Sequence, residues 1–300
     1  MNYIMNKVDI NLFNKLIQKT ADYIISNNIK SQILGISGGI DSTVCAAICH
    51  EVSKITGVPL IGRSLPTRNN KSKELYVANL VGNAFCNDYK EHSINVQYNT
   101  VNLAFNVTEI PESDFNKYPI ANGNIQARLR MMYLYNLASI HKGIVIDTDN
   151  LTENNLGFFT IHGDVGDFNP IGGLWKTEIF ELAYLLTDYY PDNQSFAIKE
   201  SLTLQPTAGL GITSNDLEEL GAESYEQVDS ILQEILAWKE VGQLLPEDSP
   251  EKKIKEFLDN QAMYDKPFNV IKNITERYFR SEFKRKQLPI KITHEWPLGD

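Results

Sequence analysis

With 300 residues and 42% hydrophobic content, the chain can bury a sizeable core and suits one large domain or one and a half. A net charge of −10 argues against a nucleic-acid surface, and no window approaches the ~20 apolar residues of a membrane span. Met1 to Asn14 is too polar for a signal peptide, so a cytoplasmic protein is expected, and the three cysteines do not pair evenly.

Asp9 to Asn28 carries a helical stripe (Leu12, Phe13, Leu16, Ile17, Ala21, Ile24, Ile25) with Asp9 as N-cap. An apolar strand then runs from Ile33 into Ser37-Gly38-Gly39, and an Ala-rich helical segment follows, with Cys45 and Cys49 four apart as core thiols. Val58 to Leu65 reads as a second strand ending at Pro66-Thr67-Arg68, and Ser72 to Phe85 as a second helix. This alternation predicts right-handed βαβ units and a doubly wound parallel sheet with helices on both faces. Tyr89 to Pro119 is less regular, a connecting helix with a mobile loop around Pro111-Glu112-Ser113. A helix from Asn122 to about His141 then holds Arg128 and Arg130, two apart and therefore facing different sides. Gly143 to Asp147 is a buried strand, and the dense Gly and Asn-Pro text of Gly157 to Gly173 marks an ordered loop before an apolar helix from Lys176.

Ligands in such sheets bind beyond the carboxyl ends of the strands, where Ser37 to Ser42 falls. Gly38 and Gly39 let the backbone approach an anion, and Ser37 and Ser42 add hydroxyl donors. Asp41 beside a polyphosphate is repulsive unless a divalent cation lies between, which argues for Mg²⁺. After the strand ending at Asp147, Thr148, Asp149 and Glu153 reach the same edge, and Glu153 is the candidate second metal carboxylate. Lys176 is a natural counter-charge for phosphate. Among the histidines, His50, His92, His141 and His294 lack metal-ligand spacing, while His162 lies in the Gly157 to Gly173 loop.

Ser-Gly-Gly-Ile-Asp-Ser is not a Walker loop, having no lysine in the turn, and resembles the pyrophosphate loop of the ATP pyrophosphatase superfamily. Together with Gly123-Asn124-Ile125-Gln126-Ala127-Arg128-Leu129-Arg130-Met131, Thr148-Asp149 to Glu153 and Gly157-Phe158-Phe159-Thr160, it looks like the ammonia-dependent NAD synthetases. Asn169-Pro170 with Lys176-Thr177, Pro206-Thr207-Ala208-Gly209-Leu210 and Lys284-Arg285 with Pro289 continue that family's order. The resemblance implies an adenine nucleotide alpha hydrolase-like fold and amidation of deamido-NAD with ammonia, consuming ATP through an adenylated intermediate and releasing AMP and pyrophosphate. It implies that Gly35, Ser37, Gly38, Gly39, Asp41, Ser42, Thr148, Lys176 and Thr207 bind ATP, and that Asp41 and Glu153 hold Mg²⁺. Arg128, Asp167 and Lys284 would bind deamido-NAD, and Asp41, Lys176 and Thr207 would carry the catalysis. A homodimer is the family's arrangement. No glutaminase domain fits beside the synthetase, so ammonia is the expected nitrogen donor.

The organisation expected is a synthetase-like domain over 1–231, an inserted helical arm over 232–282 near the active-site lid or the dimer interface, and a tail over 283–300 completing the substrate site. Departures from the family pattern gather on the acceptor side. Ile161 stands where lysine is usual, Phe283 replaces histidine, Asp147 replaces glycine, and the segment Gly163 to Asp167 is one residue short. Two other readings follow: an adenylating enzyme of the superfamily acting on a different acceptor, or a nucleotide-binding regulatory relative.

Overall fold

The computed structural model describes residues 7–68, 70–109, 117–206, 216–240, 248–259, 266–286 and 290–291. Among them, six strands form one parallel sheet in the order β3-β2-β1-β4-β5-β6: β1 (Gln32–Gly35), β2 (Leu60–Ser64), β3 (Asp88–Glu91), β4 (Ile144–Ile146), β5 (Phe168–Asn169) and β6 (Ile290–Lys291). The order reverses between β1 and β4, the topological switch point at which a crevice forms beyond the carboxyl ends of the strands. Ser37–Ser42 leaves one side of that crevice and Thr148–Glu153 the other.

Side-chain alternation on the strands divides the core. Leu34, Leu60, Ile144, Ile146 and Phe168 point to a layer containing α1 (Ile10–Ser26), α2 (Ile40–Thr56), α3 (Ser72–Phe85), α7 (Lys176–Tyr189) and α8 (Asp192–Leu202). Ile33, Ile61 and Val145 point the other way, onto Leu129, Leu134 and Ala138 of α5 (Pro119–His141) and onto α4 (Asn95–Glu109). Each such buried aliphatic side chain contributes about 1.5–3 kcal/mol, which holds the strand ends at fixed heights. Asp9 caps α1 as its sequence predicts, its carboxylate accepting from the N–H groups of Asn11 and Leu12.

The text between Tyr89 and Pro119 resolves into the edge strand β3 and helix α4, while the expected loop at Pro111-Glu112-Ser113 lies outside the described residues. β3 has the sequence Asp-Tyr-Lys-Glu and is largely solvated, so it has no apolar pattern to betray it.

A third cluster packs α6 (Leu151–Leu156), α9 (Asp216–Leu220), α10 (Tyr225–Glu240), α11 (Pro250–Asp259) and α12 (Phe268–Arg280) around Trp175, Phe257, Ile274 and Tyr278. The division expected at residues 231 and 232 falls inside α10, which runs through it. Val228, Ile231, Leu232 and Ile235 form one buried helical face, so α10 belongs as a unit to the helical cluster. That cluster rests on α6 and α7, helices that start at the site edge of the sheet. Most of the tail assigned to 283–300 lies outside the described residues.

Candidate active site

The Ser37–Ser42 turn is held by its own hydroxyls and by α8. Ser37 Oγ accepts the Gly39 N–H at 3.1 Å and lies 2.9 Å from Ser42 Oγ. Gly38 has φ +83°, and a Cβ there would come within 2.8 Å of the backbone of α3 at Ala78 and Glu74, so only glycine fits. Behind the turn, Ser201 donates to the Gly38 carbonyl at 2.8 Å, and Thr43 donates to the Gly39 carbonyl at 2.9 Å. Helix α2 begins here at Ile40, so its N-terminus looks across the crevice at the β4 side.

Across the crevice stands a buried charge cluster. Lys176, only 1% exposed, donates through Nζ to Asp41 Oδ2 at 2.6 Å and to Glu153 Oε1 at 3.1 Å. Asn150 Nδ2 donates to the other oxygen of Asp41 at 2.8 Å. Asn150 and Glu153 also form a reciprocal capping box at the start of α6, Asn150 Oδ1 accepting the Glu153 N–H at 2.9 Å and Glu153 Oε2 the Asn150 N–H at 3.2 Å. Burial opposes the charge on Lys176, but Asp41 and Glu153 outweigh it and hold the ammonium well above its ordinary range. Burial, then repulsion from Asp41, pushes Glu153 up, with Lys176 opposing both.

Two carboxylates already sharing one cation form an oxygen donor set suited to a hard divalent ion, with phosphate oxygens completing its shell. Asp41 and Glu153 therefore fit Mg²⁺. Among the described residues no group of three or more His, Cys, Asp and Glu side chains is arranged to hold a metal unaided.

The residues expected to bind the acceptor are held differently. Arg128, exposed on α5, reaches the Ile161 carbonyl at 3.4 Å, while Arg130 turns inward and donates to the Leu65 carbonyl at 2.9 Å, the opposed faces that their spacing predicts. Thr160 donates through Oγ1 to Asn124 at 2.8 Å, and its N–H meets Asp164 Oδ1 at 2.6 Å. Burial is the first cause pushing Asp164 up to about 7. Asp167 accepts from the Val145 N–H and from the Tyr135 hydroxyl, each at 2.9 Å, so it ties β4 to α5. Lys284 donates to the Gly157 and Phe159 carbonyls at 2.8 and 2.7 Å, and burial lowers its ammonium. His162 is exposed with a left-handed φ of 59°.

Asp41, Glu153 and Lys176 thus meet beside the Ser37–Ser42 turn, with Thr148 on the segment after β4, whereas Arg128, Asp167 and Lys284 line the loop beyond it. Thr207 lies outside the described residues. Sequence reasoning missed Asn150, although Asn-x-x-Glu is a readable capping signal. Ser201, Tyr225 and Asp229 were also missed, since no local pattern announces a partner that far away in the chain.

The family model described as NAD synthase matches residues 12–288. The NH(3)-dependent NAD(+) synthetase of Methanosarcina mazei is 30% identical over 289 residues, covering 93% of this chain and 97% of that relative. Among solved structures, an NMN synthetase from Francisella tularensis superposes with a TM-score of 0.69 at 28% identity, over 93% of this chain and 97% of its own. An NH3-dependent NAD synthetase from Campylobacter jejuni shares the fold, with a TM-score of 0.61 at 23% identity over 93% of this chain and 96% of its own.

Proposed function

This chain belongs to the NAD synthase family, and from that premise we propose a division of labour for its ATP-dependent amidation of deamido-NAD by ammonia. The nicotinate carboxylate oxygen bonds to the α phosphorus of ATP as the bond to the β-phosphate oxygen breaks, releasing pyrophosphate. Ammonia then bonds to the acyl carbon, AMP leaves with the electron pair of the acyl–oxygen bond, and the nitrogen sheds one proton. Neither step needs a nucleophilic side chain; positioning and charge neutralisation supply most of the rate.

The observation that carries this reading is the Asp41–Lys176–Glu153 cluster beside the Ser37–Ser42 turn at the switch point of the sheet. Ser37 to Ser42 cradle the pyrophosphate, Gly35, Thr148 and Thr207 contact ATP, and Lys176 is the fixed positive charge nearest the polyphosphate. Asp41 and Glu153 would hold Mg²⁺, which when bound neutralises charge on the departing pyrophosphate. Arg128 meets the acceptor, with Lys284 and Asp167 shaping the Gly157 to Asp167 wall against which it lies. That wall must exclude water from the acyl adenylate.

The chain acts as a homodimer through α4 and α5, whose exposed Val96, Leu103, Ile120, Met132 and Ile140 invite a partner surface. No helix among the described residues is long and apolar enough to cross a membrane. Cys45, Cys49 and Cys86 are free, in keeping with a reducing cytoplasm.

Incubation with Mg–ATP, deamido-NAD and ammonium tests the reading: NAD⁺ and AMP should appear in equal amounts and vanish with Asp41→Ala, and AMP without NAD⁺ would refute it. The likeness to an NMN synthetase, with Ile161 and Phe283 on the acceptor side, favours a second reading in which the deamido mononucleotide is the better acceptor. The ratio of kcat/KM for the two acceptors decides between them.

A further inference from the structure

Asp229 lies on α10, outside every motif that points to the reaction, and is 1% exposed. Its Oδ1 accepts from the Thr152 hydroxyl at 2.5 Å, and its Oδ2 from the Thr177 N–H at 3.1 Å and the Thr177 hydroxyl at 2.9 Å. Thr152 immediately precedes Glu153, and Thr177 immediately follows Lys176. Thr152 Oγ1 also accepts the Lys176 N–H at 2.8 Å, so the backbone at Lys176, the hydroxyl beside Glu153 and the Asp229 carboxylate form one chain of hydrogen bonds. One turn earlier on α10, Tyr225 sets its ring 5.6 Å from Lys176 Nζ and donates its hydroxyl to Asp216 at 3.2 Å. Residues four apart share a helix face, so Tyr225 and Asp229 present one surface to the start of α7.

We infer that Asp229 is a positioning residue for the nucleotide site, fixing the separation of Glu153 and Lys176, with Tyr225 as the wall behind the lysine. The inference rests on reading this cluster as the Mg–ATP site. The first N–H groups of a helix lack partners within it, and a carboxylate there is favoured both as acceptor and as a negative charge at the positive end. A carboxylate engaging the starts of both α6 and α7 does more than cap either one: it sets how far apart they stand. Glu153 and Lys176 leave the backbone from those same turns, so a shift there is transmitted to the charges that meet the nucleotide. The C-terminal helical cluster, through α10, thereby sets the geometry of a site formed on the sheet.

Calorimetric binding of Mg–ATP to wild type, Asp229→Asn and Ile235→Ala tests this. Asparagine keeps the size but turns an amide toward groups that need acceptors, and should weaken Mg–ATP binding about tenfold or more while the KM for deamido-NAD stays within about twofold. Ile235→Ala, a cavity in the same helical cluster, should lower the melting temperature without moving Mg–ATP affinity. Binding by Asp229→Asn within about twofold of wild type would overturn the inference. Should that variant fail to fold, Thr177→Val, which keeps the main-chain bond to Asp229, takes its place: several-fold weaker Mg–ATP binding is expected, and unchanged binding would overturn the inference equally. Wild type that binds no Mg–ATP would overturn the nucleotide reading and this inference with it. Wild type that binds Mg–ATP but makes no NAD⁺ would overturn only the acceptor reading, leaving Asp229 to be judged by Mg–ATP binding.

Discussion

On the side of the crevice proposed to hold the nucleotide, Asp41, Asn150, Glu153 and Lys176 hold one another through side-chain contacts of 2.6 to 3.1 Å, from three stretches of chain far apart in sequence. On the side proposed for the acceptor, Arg128 and Lys284 direct their cations at main-chain carbonyls of the loop between them, at 161, 157 and 159. The first arrangement specifies each residue type, because a buried charge without its partner is costly. The second asks only that a donor reach a carbonyl, which many residues can present. Contacts of that kind leave the side chain at 161 able to vary, so specificity on that side can shift while the Asp41–Lys176–Glu153 cluster stays unchanged.

The severest way to break this contrast is Lys176→Met. It leaves two carboxylates facing each other without a cation, so activity should fall by about 10³-fold or more and the nucleotide-free fold should lose about 3–5 kcal/mol, read in steady-state assays and denaturant melts. Mg²⁺ should then raise the melting temperature of this variant more than that of wild type, since the metal replaces the missing charge. Glu153→Gln keeps the capping acceptor but halves the pair of metal carboxylates; a loss of about 10²-fold in kcat/KM for Mg–ATP is expected, with less effect on stability. On the other side, Arg128→Met should raise the KM of the acceptor about tenfold and leave that of ATP within about twofold. Equal effects on both substrates would mean that the two halves are not separable.

The smallest expected effect concerns pH. Burial, opposed by the hydroxyls of Thr152 and Thr177 and the Thr177 N–H, pushes the Asp229 carboxyl up to about 6 from its ordinary 3.8. A carboxyl whose folded value lies above its unfolded value contributes stability that is complete below about pH 4 and lost as pH rises through about 6. The difference in melting temperature between wild type and Asp229→Asn should therefore change by a few degrees across that window and be flat above it. A difference independent of pH would refute the assignment.

The same contrast explains what the sequence made legible. Helix α3 is found at Ser72–Phe85, the bounds its apolar spacing predicts, and the Ser37–Ser42 turn could be read because its glycines and Asp41 are each dictated by local chemistry. Strands β3 and β5 escaped, one being solvated and charged and the other two residues long. Asp229 escaped for a different reason: its three donors come from two helices that approach it only once α10 has packed. Asp167 shows the converse. The family resemblance points to it as an acceptor-binding residue, and in the structure its carboxylate is engaged by Val145 and Tyr135, which braces the loop.

Helix α5 carries Arg128 and, one turn on, Met132, 64% exposed on the same face. A helix of 23 residues is stiff over that distance, so whatever covers Met132 also sets the stance of the arginine. In the proposed homodimer, turnover at limiting acceptor should then follow mass action between subunits: serial dilution would lower specific activity once copies part, and Met132→Glu should move that threshold to higher protein concentration. Specific activity constant down to the lowest measurable concentration, in both proteins, would detach acceptor binding from assembly.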